Sequence, residues 1–368
     1  MVYFFRIVGR ILGTLRAEYR QLANRYFGHV ERFDGNARDI CRQVVDKLWE
    51  GDFYRTSLGH FDFFWMRDFG TVAESLVRIG QQDKVHHTLR WALQHYRRSG
   101  IVTLCIDKAG NTFNAPDVKS IDALPWLLHS IEVSGYALND SEKVFLNREL
   151  RRYRKIFLDE DSGHLKSMRF AEMRDAVVYD RSAYAVTLVA RLARCAEKLE
   201  LDFPFHADRY RQELLNHYWN GRYFNADWNN KAFSAECALF PFFMGIVDDE
   251  ARFEKTIHFI QQHKLDRPYP LKYTDKPGAF HYRFWMTWPF MSNYAGTSIW
   301  SWHGVFYLHI LNHYKRTEYA ETRASFARMI ERHGTWPEML KPDGSWYNAL
   351  IYKGDPGMVW AALYLELP

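Results

Sequence analysis

Cysteine is scarce in this chain: Cys41, Cys105, Cys195 and Cys237 are the only four in 368 residues. They lie far apart and form no CxxC pair. That excludes a disulfide-stapled scaffold and a cysteine-built metal site, and reads as free, buried thiols in a reducing cytoplasm. No apolar run approaches the length of a transmembrane span. A nucleophile elbow and a Gly-rich phosphate-cradling loop are both missing, which excludes a Ser-His-Asp hydrolase and a P-loop enzyme. Neither a Pro/Gly/Ser-rich linker nor a low-complexity segment interrupts the chain, which favours one domain over two. Concentrated charge is also missing, because the net charge of +5 is spread out and its densest basic run is "RRYRK" at 151–155. Nucleic acid is therefore not an expected partner.

The first residues, "MVYFFRIVGRILGTLRAEYRQLANRYF", begin apolar but are interrupted by Arg6 and Arg10. They lack both a long hydrophobic region and a small-residue cleavage site, so they do not read as a signal peptide. Residues 1–35 are expected to form an N-terminal helical extension packed across the outside of the fold, followed by a single catalytic domain over 36–368. A basic amphipathic helix touching a membrane surface through residues 1–27 is the alternative.

What the chain has in excess is aromatic residues, 17% of the total, with 13 Trp, 22 Tyr and 27 Phe. Part of that excess fills a core. Trp and Tyr crowded into loops also suit a carbohydrate cleft, where the apolar faces of sugar rings stack on aromatic planes. An oligosaccharide or glycoside substrate is expected, with no cofactor and no metal.

Helical periodicity marks segments near 36–49, 67–80, 83–98, 119–136, 140–157, 181–199, 205–218, 234–245, 249–263, 296–314, 318–333 and 356–366. In the sixth, Ala185, Leu188, Val189, Leu192, Cys195 and Leu199 recur at three- and four-residue steps. Short connections ("GQQD", "LND", "LELDF", "IVDDE", "YKRTE") alternate with long ones. In a chain of antiparallel helices every second connection returns to the same end, so all the long loops are expected on one face. Six such hairpins closed into a ring make an all-α fold, an (α/α)6 barrel.

The long loops concentrate aromatics, carboxylates, Arg and His, as in "DFYRTSLGHFDFFWMRD", "DEDSGHLKSMRFAEMRDAVVYDR" and "GTWPEMLKPDGSWYNALIYKGDP". Loops of this kind converging on one face make a cleft, and paired carboxylates in a cleft suit glycoside chemistry. The motifs "WMRDFGTVAESLVRIGQ", "SIDALPWLLHSI", "MRDAVVYDRSAYAVTLVARLAR", "YWNGRYFN", "WSWHGVFYLHIL" and "GTWPEMLKPDG", in that order, resemble the six-hairpin glycosidases. That group holds glucoamylases and the amylo-α-1,6-glucosidase domain of debranching enzymes. Met173 stands where the family often has Trp before its acid aspartate.

The resemblance implies a glycoside hydrolase, exo-acting, inverting and α-glucosidase-like, with Asp175 as general acid and Glu338 as general base. Glu172 and Asp180 are the alternatives for the acid, and Asp180 can equally cap the helix that follows. Arg67 and Asp68, beneath Trp65, are expected to grip the outer hydroxyls of a terminal sugar, the guanidinium donating in a fixed fork and the carboxylate accepting. The bland alternative is a salt bridge at a buried helix start. Trp65, Trp126, Trp285, Trp288 and Trp336 are expected to form an aromatic cleft floor. Asp122, Asp180, Trp302 and His303 complete the expected substrate contacts, and His60, His164 and His281 are further hydroxyl-binding candidates. A sugar epimerase or polysaccharide lyase on the same barrel, with His or Tyr moving the proton, is one alternative function. A non-catalytic carbohydrate-binding barrel is another.

Overall fold

The computed structural model describes residues 19–116 and 118–368. The expectations for residues 1–18 lie outside the described residues. Residues 19–27 are helical (α1). They are followed by α2 (Ala37–Lys47), β1 (Phe64–Trp65), α3 (Met66–Arg78), α4 (Gln82–Ser99), β2 (Cys105–Ile106), β3 (Thr112–Phe113), α5 (Ala123–Ser134) and α6 (Asp140–Phe157). Then come α7 (Ala183–Lys198), α8 (Ala207–Glu213), α9 (Ala235–Phe243), α10 (Glu250–Gln262), β4 (Ile299–Trp300), α11 (Ser301–His313), α12 (Glu318–His333), β5 (Met339–Leu340) and α13 (Ala361–Glu366).

Two kinds of helix alternate, and their sequences say why. The even-numbered helices from α2 to α12 are amphipathic. In α6, Phe145, Leu146, Glu149, Leu150, Tyr153 and Phe157 form the buried stripe, and an Asn139–Glu142 capping box starts the helix. The odd-numbered helices from α3 to α13 are buried on almost every side. In α7 the run from Ala183 to Ala190 is buried without a break. A helix apolar all round needs neighbours all round, so these six line the inside of the ring and the others cover them. Close approach inside is helped by Gly70 of α3, where an added Cβ would stand 2.6 Å from Trp126 Cβ of α5.

Each inner helix packs on the next, α3 on α5, α5 on α7, α7 on α9 and α9 on α11. The ring closes through α13, which packs on α3. It meets α11 by a Trp302–Trp360 stack with centroids 4.5 Å apart and by His309 Nε2, 2.8 Å from the Leu363 carbonyl. This is the (α/α)6 barrel read from the alternating loops. Its core runs without interruption from Ala37 to Leu367.

Every long loop leads into the N-terminal end of an inner helix, and neighbouring loops are sewn together. Strands β1 and β2 join the loops before α3 and α5, with Phe64 opposite Ile106. Ser120 bridges Ala171 and Ser182 bridges Asp227, while Val177 bridges Tyr282 from the loop before α7 across to the one before α11. Strands β4 and β5 join the loops before α11 and α13. Val359 N–H donates to the Thr56 carbonyl at 2.8 Å and returns to the first loop. The long loops therefore share one face. Helix α1 lies against it, with Arg25 Nε on the Ala349 carbonyl at 2.5 Å and the Tyr26 hydroxyl on the Leu350 carbonyl at 3.0 Å. No helix among the described residues is long and apolar enough to cross a membrane.

Candidate active site

At the loop-bearing end of the ring, side chains bond from one inner helix to the next. Arg67, in the first turn of α3, is buried, and its Nε donates to Asp122 Oδ2 at 2.5 Å. Asp122, at the start of α5, also accepts from Ser120 Oγ at 2.6 Å and from the Tyr184 hydroxyl of α7 at 3.1 Å. Its side chain makes no helix-capping bond. The ion pair of Arg67 is thus with Asp122, 55 residues away, and spans two helices. Asp68 instead accepts from Trp360 Nε1 at 2.9 Å. Burial pushes the Asp68 carboxyl up to about 7, against the pull of Arg67 and Trp360.

Asp175 sits on the loop before α7, and its backbone is held from both sides. The preceding residue, Arg174, is buried and donates to the Ala295 carbonyl at 2.5 Å and to Ser234 Oγ at 2.9 Å. The Arg174 guanidinium lies 3.9 Å from the Phe280 ring centre and 4.7 Å from that of Tyr273. From the loop before α11, Arg283 Nε donates to the Asp175 carbonyl at 2.5 Å, and Arg283 N–H donates to the Ala176 carbonyl at 2.9 Å. The carboxyl itself stays half-buried. The protein around it raises its pKa to about 6, and the Arg67 and Arg283 charges hold it from going higher.

Glu338, in the loop before α13, is fully buried. The Tyr352 hydroxyl reaches Oε1 at 2.7 Å and Oε2 at 2.9 Å, and the Asp355 N–H donates to Oε2 at 2.8 Å. Burial pushes its pKa to about 8, opposed by the His60 charge and by the Asp355 and Tyr352 hydrogen bonds. Asp175 and Glu338, on loops at the same end of the barrel, both act on Tyr294, whose hydroxyl is held far above its usual range by burial and then by these two carboxylates. The Tyr294 ring stands 5.1 Å from that of Tyr352.

The other expected residues divide. Trp65 and Trp302 are buried with Nε1 lacking a hydrogen-bond partner. His303 is wholly buried 4.3 Å from the Tyr273 ring, with neither ring nitrogen bonded, and burial drives its pKa well below the usual imidazole range. The expected tryptophan floor is not formed as a unit. Trp126 and Trp336 are core residues at 0% exposure, their Nε1 groups bonded to the Tyr184 hydroxyl and Ser301 Oγ. Trp285 and Trp288 are 49% and 78% exposed, because the short turn carrying them presents its rings outward while Phe290 packs inward.

Asp180 does not cap α7. That role belongs to Ser182, whose Oγ accepts from the Ala185 N–H at 3.0 Å. Asp180 accepts from Asn229 Nδ2 at 2.7 Å on the rim of a cavity of about 640 Å3 that it shares with Asp227, Asn230 and His281. Glu172 is buried, takes the Ser182 hydroxyl, and is raised to about 8 by that burial, with Glu236 adding to it. His164 pairs with Glu213 at 2.9 Å.

Several residues of this end escaped the sequence reading: Arg174, Tyr273, Arg283, Tyr294, Tyr352 and Asp355. Tyrosines in an aromatic-rich chain look like core, and Asp355 before Pro356 looks like a turn. At the opposite end of the ring, His129, Glu132 and Cys195 bring ligand atoms within 4.8 Å of one another. Glu132 is already paired with Arg191 and Lys198, and these cations oppose a metal ion there.

No family model matches the chain, and no curated protein matches it in sequence. Solved structures do match in fold. The GH63 mannosylglycerate hydrolase from Thermus thermophilus, in complex with Tris, superposes with a TM-score of 0.57 at 13% identity, over 90% of this chain and 99% of its own. A glycosidase variant in complex with glucose gives 0.64 at 14% identity, over 90% and 95%. The rhamnosidase from Klebsiella oxytoca, with rhamnose bound, gives 0.59 at 12% identity, over 91% and 65%. The fold is therefore that of the six-hairpin glycosidases.

Proposed function

We propose that the protein is an exo-acting, inverting glycoside hydrolase of α-glucosidase type, with Asp175 as general acid and Glu338 as general base. The catalytic unit is the barrel over residues 36–368, with 1–35 as an N-terminal extension. A cytoplasmic setting is supported by four free, buried cysteines. The observation that carries the proposal is a pair of raised carboxyls on loops at one end of the barrel, both acting on Tyr294. The same end of the ring carries buried donors with no protein partner: Trp65 Nε1, Arg67 Nη2, Trp302 Nε1 and the Tyr273 hydroxyl. Buried donors are costly unless something accepts from them, and sugar hydroxyls are acceptors of the required kind. The fold relative that holds glucose supports the same substrate class.

In the reaction, water attacks the anomeric carbon while the bond to the leaving oxygen breaks. Asp175 gives its proton to that oxygen, and Glu338 takes one from the water. A group titrating near 6 is poised to keep and give a proton near neutrality. Glu338 accepts in each of its side-chain hydrogen bonds, the arrangement that suits an ionised carboxylate, while burial outweighs these bonds and the His60 charge and raises it to about 8. The test is a screen of aryl glycosides and α-linked disaccharides, with the anomer of the first product followed by NMR. Hydrolysis giving the β-anomer of an α-glucoside is expected. Retention of configuration, or elimination or epimerisation in place of hydrolysis, would overturn the reading.

A further inference from the structure

The difficulty with Glu338 as a base is that so buried a carboxyl holds its proton, and the structure contains an arrangement that answers it. Asp355, also fully buried, supplies a backbone N–H to Glu338 Oε2 at 2.8 Å while its own carboxylate holds His60. His60 Nδ1 lies 2.8 Å from Asp355 Oδ1. The same carboxylate takes the backbone N–H groups of His60 at 2.8 Å and Phe61 at 3.0 Å, Asn24 Nδ2 at 3.0 Å and the Ser57 hydroxyl. With that many donors Asp355 is an anion, held below the usual carboxylate range by His60 and these bonds despite burial. Tyr352 closes the unit, its hydroxyl on both Glu338 oxygens and its ring 5.2 Å from the His60 ring. His60 Nε2 is buried with no partner.

We propose that His60 is a positioning residue for the base: held as an imidazolium by Asp355, it supplies a positive charge that draws the Glu338 carboxyl toward its ionised form. This rests on the reading of Glu338 as the base. The groups acting on His60 are Asp355, Glu338 and Asp62, all negative when ionised; the Asn24 side-chain amide shares the Nδ1 side with Asp355, its Nδ2 2.9 Å from Nδ1, and the Phe61 and Tyr352 rings pack on the imidazole. Burial opposes the imidazolium, but the carboxylates outweigh it and the pKa of His60 is raised on balance. The buried Nε2–H, which has no protein partner, is then a cationic donor.

Two measurements test this. Imidazole resonances of His60 are titrated by NMR in the wild type and in Glu338→Gln. His60 is expected to be protonated at pH 7 in the wild type and to have a lower pKa in Glu338→Gln. A neutral His60 at pH 7, or a pKa the same in both, would overturn the proposal whether or not the protein hydrolyses anything. Second, the pH profile of kcat on 4-nitrophenyl α-glucoside is compared for the wild type and His60→Gln. Without the cation the acid limb should move up by about one pH unit, a loss of about tenfold below neutrality that returns at higher pH, with KM little changed. An unmoved limb with a lower Tm would make His60 purely structural. Should the wild type hydrolyse no glycoside, the hydrolase reading falls, and the NMR result alone decides whether His60 carries the charge.

Discussion

Asp175 and Glu338 are two carboxyls made unlike by their surroundings. As the proposed acid and base, both would act in the transition state, so removal of either should cost kcat about 10²–10⁴-fold with a much smaller change in KM. Asp175→Asn should regain much of that rate on an aryl glycoside, whose leaving group needs little protonation. Glu338→Gln should not, although azide can stand in for the activated water and give an inverted product. Near wild-type kcat in Glu338→Gln on a verified substrate would remove Glu338 from the role. The motifs around both carboxyls were legible in the sequence. Their supports were not, because a partner's position is not written beside a residue: Arg67 finds Asp122 across 55 positions, and His60 finds Asp355 across 295.

At the scale of single elements, the start of each inner helix does two jobs. The Arg67–Asp122 pair ties α3 to α5 and also leaves Arg67 Nη2 without a partner inside the barrel. Arg67→Ala should therefore destabilise the fold by about 3–5 kcal/mol, since Asp122 is left as an uncompensated buried charge, and should also raise KM. Thermal melts with KM measured below the transition separate the two effects, and an unchanged Tm would mean that Asp122 is satisfied without Arg67. The tryptophans part in the same way. Trp126→Ala and Trp336→Ala should each cost about 3–5 kcal/mol, as truncations inside a packed core do. Trp288→Ala, on an exposed turn, should stay within about 0.5 kcal/mol of the wild type by chemical denaturation. Sequence reading expected all of these at the loop ends of helices; Arg67 and Trp126 stand in the first turns of α3 and α5, whereas Trp288 lies mid-loop before α11. It could not tell inward from outward there, because periodicity gives out where the helix does.

The whole ring was more legible than its parts, since alternating short and long connections in a helical chain leave few closed arrangements. What composition could not convey is how much unpaired acidity the ring encloses. Asp68, Asp175, Glu172 and Glu338 are raised to about 7, 6, 8 and 8, chiefly by burial. Each folded pKa lies above its unfolded value, so the native state binds more protons and loses stability as pH rises between the two values. His129, His303 and His333, lowered by burial, act the other way, but their contribution is complete once pH passes the ordinary imidazole value of 6.5. Asp355, held low, matters only below its ordinary 3.8. Between about pH 6.5 and 8 the buried acids are therefore unopposed, and His60, raised by its carboxylates, adds to the same loss. The Tm should fall steadily across that window. Glu172→Gln keeps an acceptor for the Ser182 hydroxyl and removes one titration, so it should flatten the fall by up to about 1.4 kcal/mol per pH unit. If wild type and Glu172→Gln keep parallel stability curves from pH 6.5 to 8, Glu172 is already ionised in the native state and the burial argument fails for the group that makes it most simply.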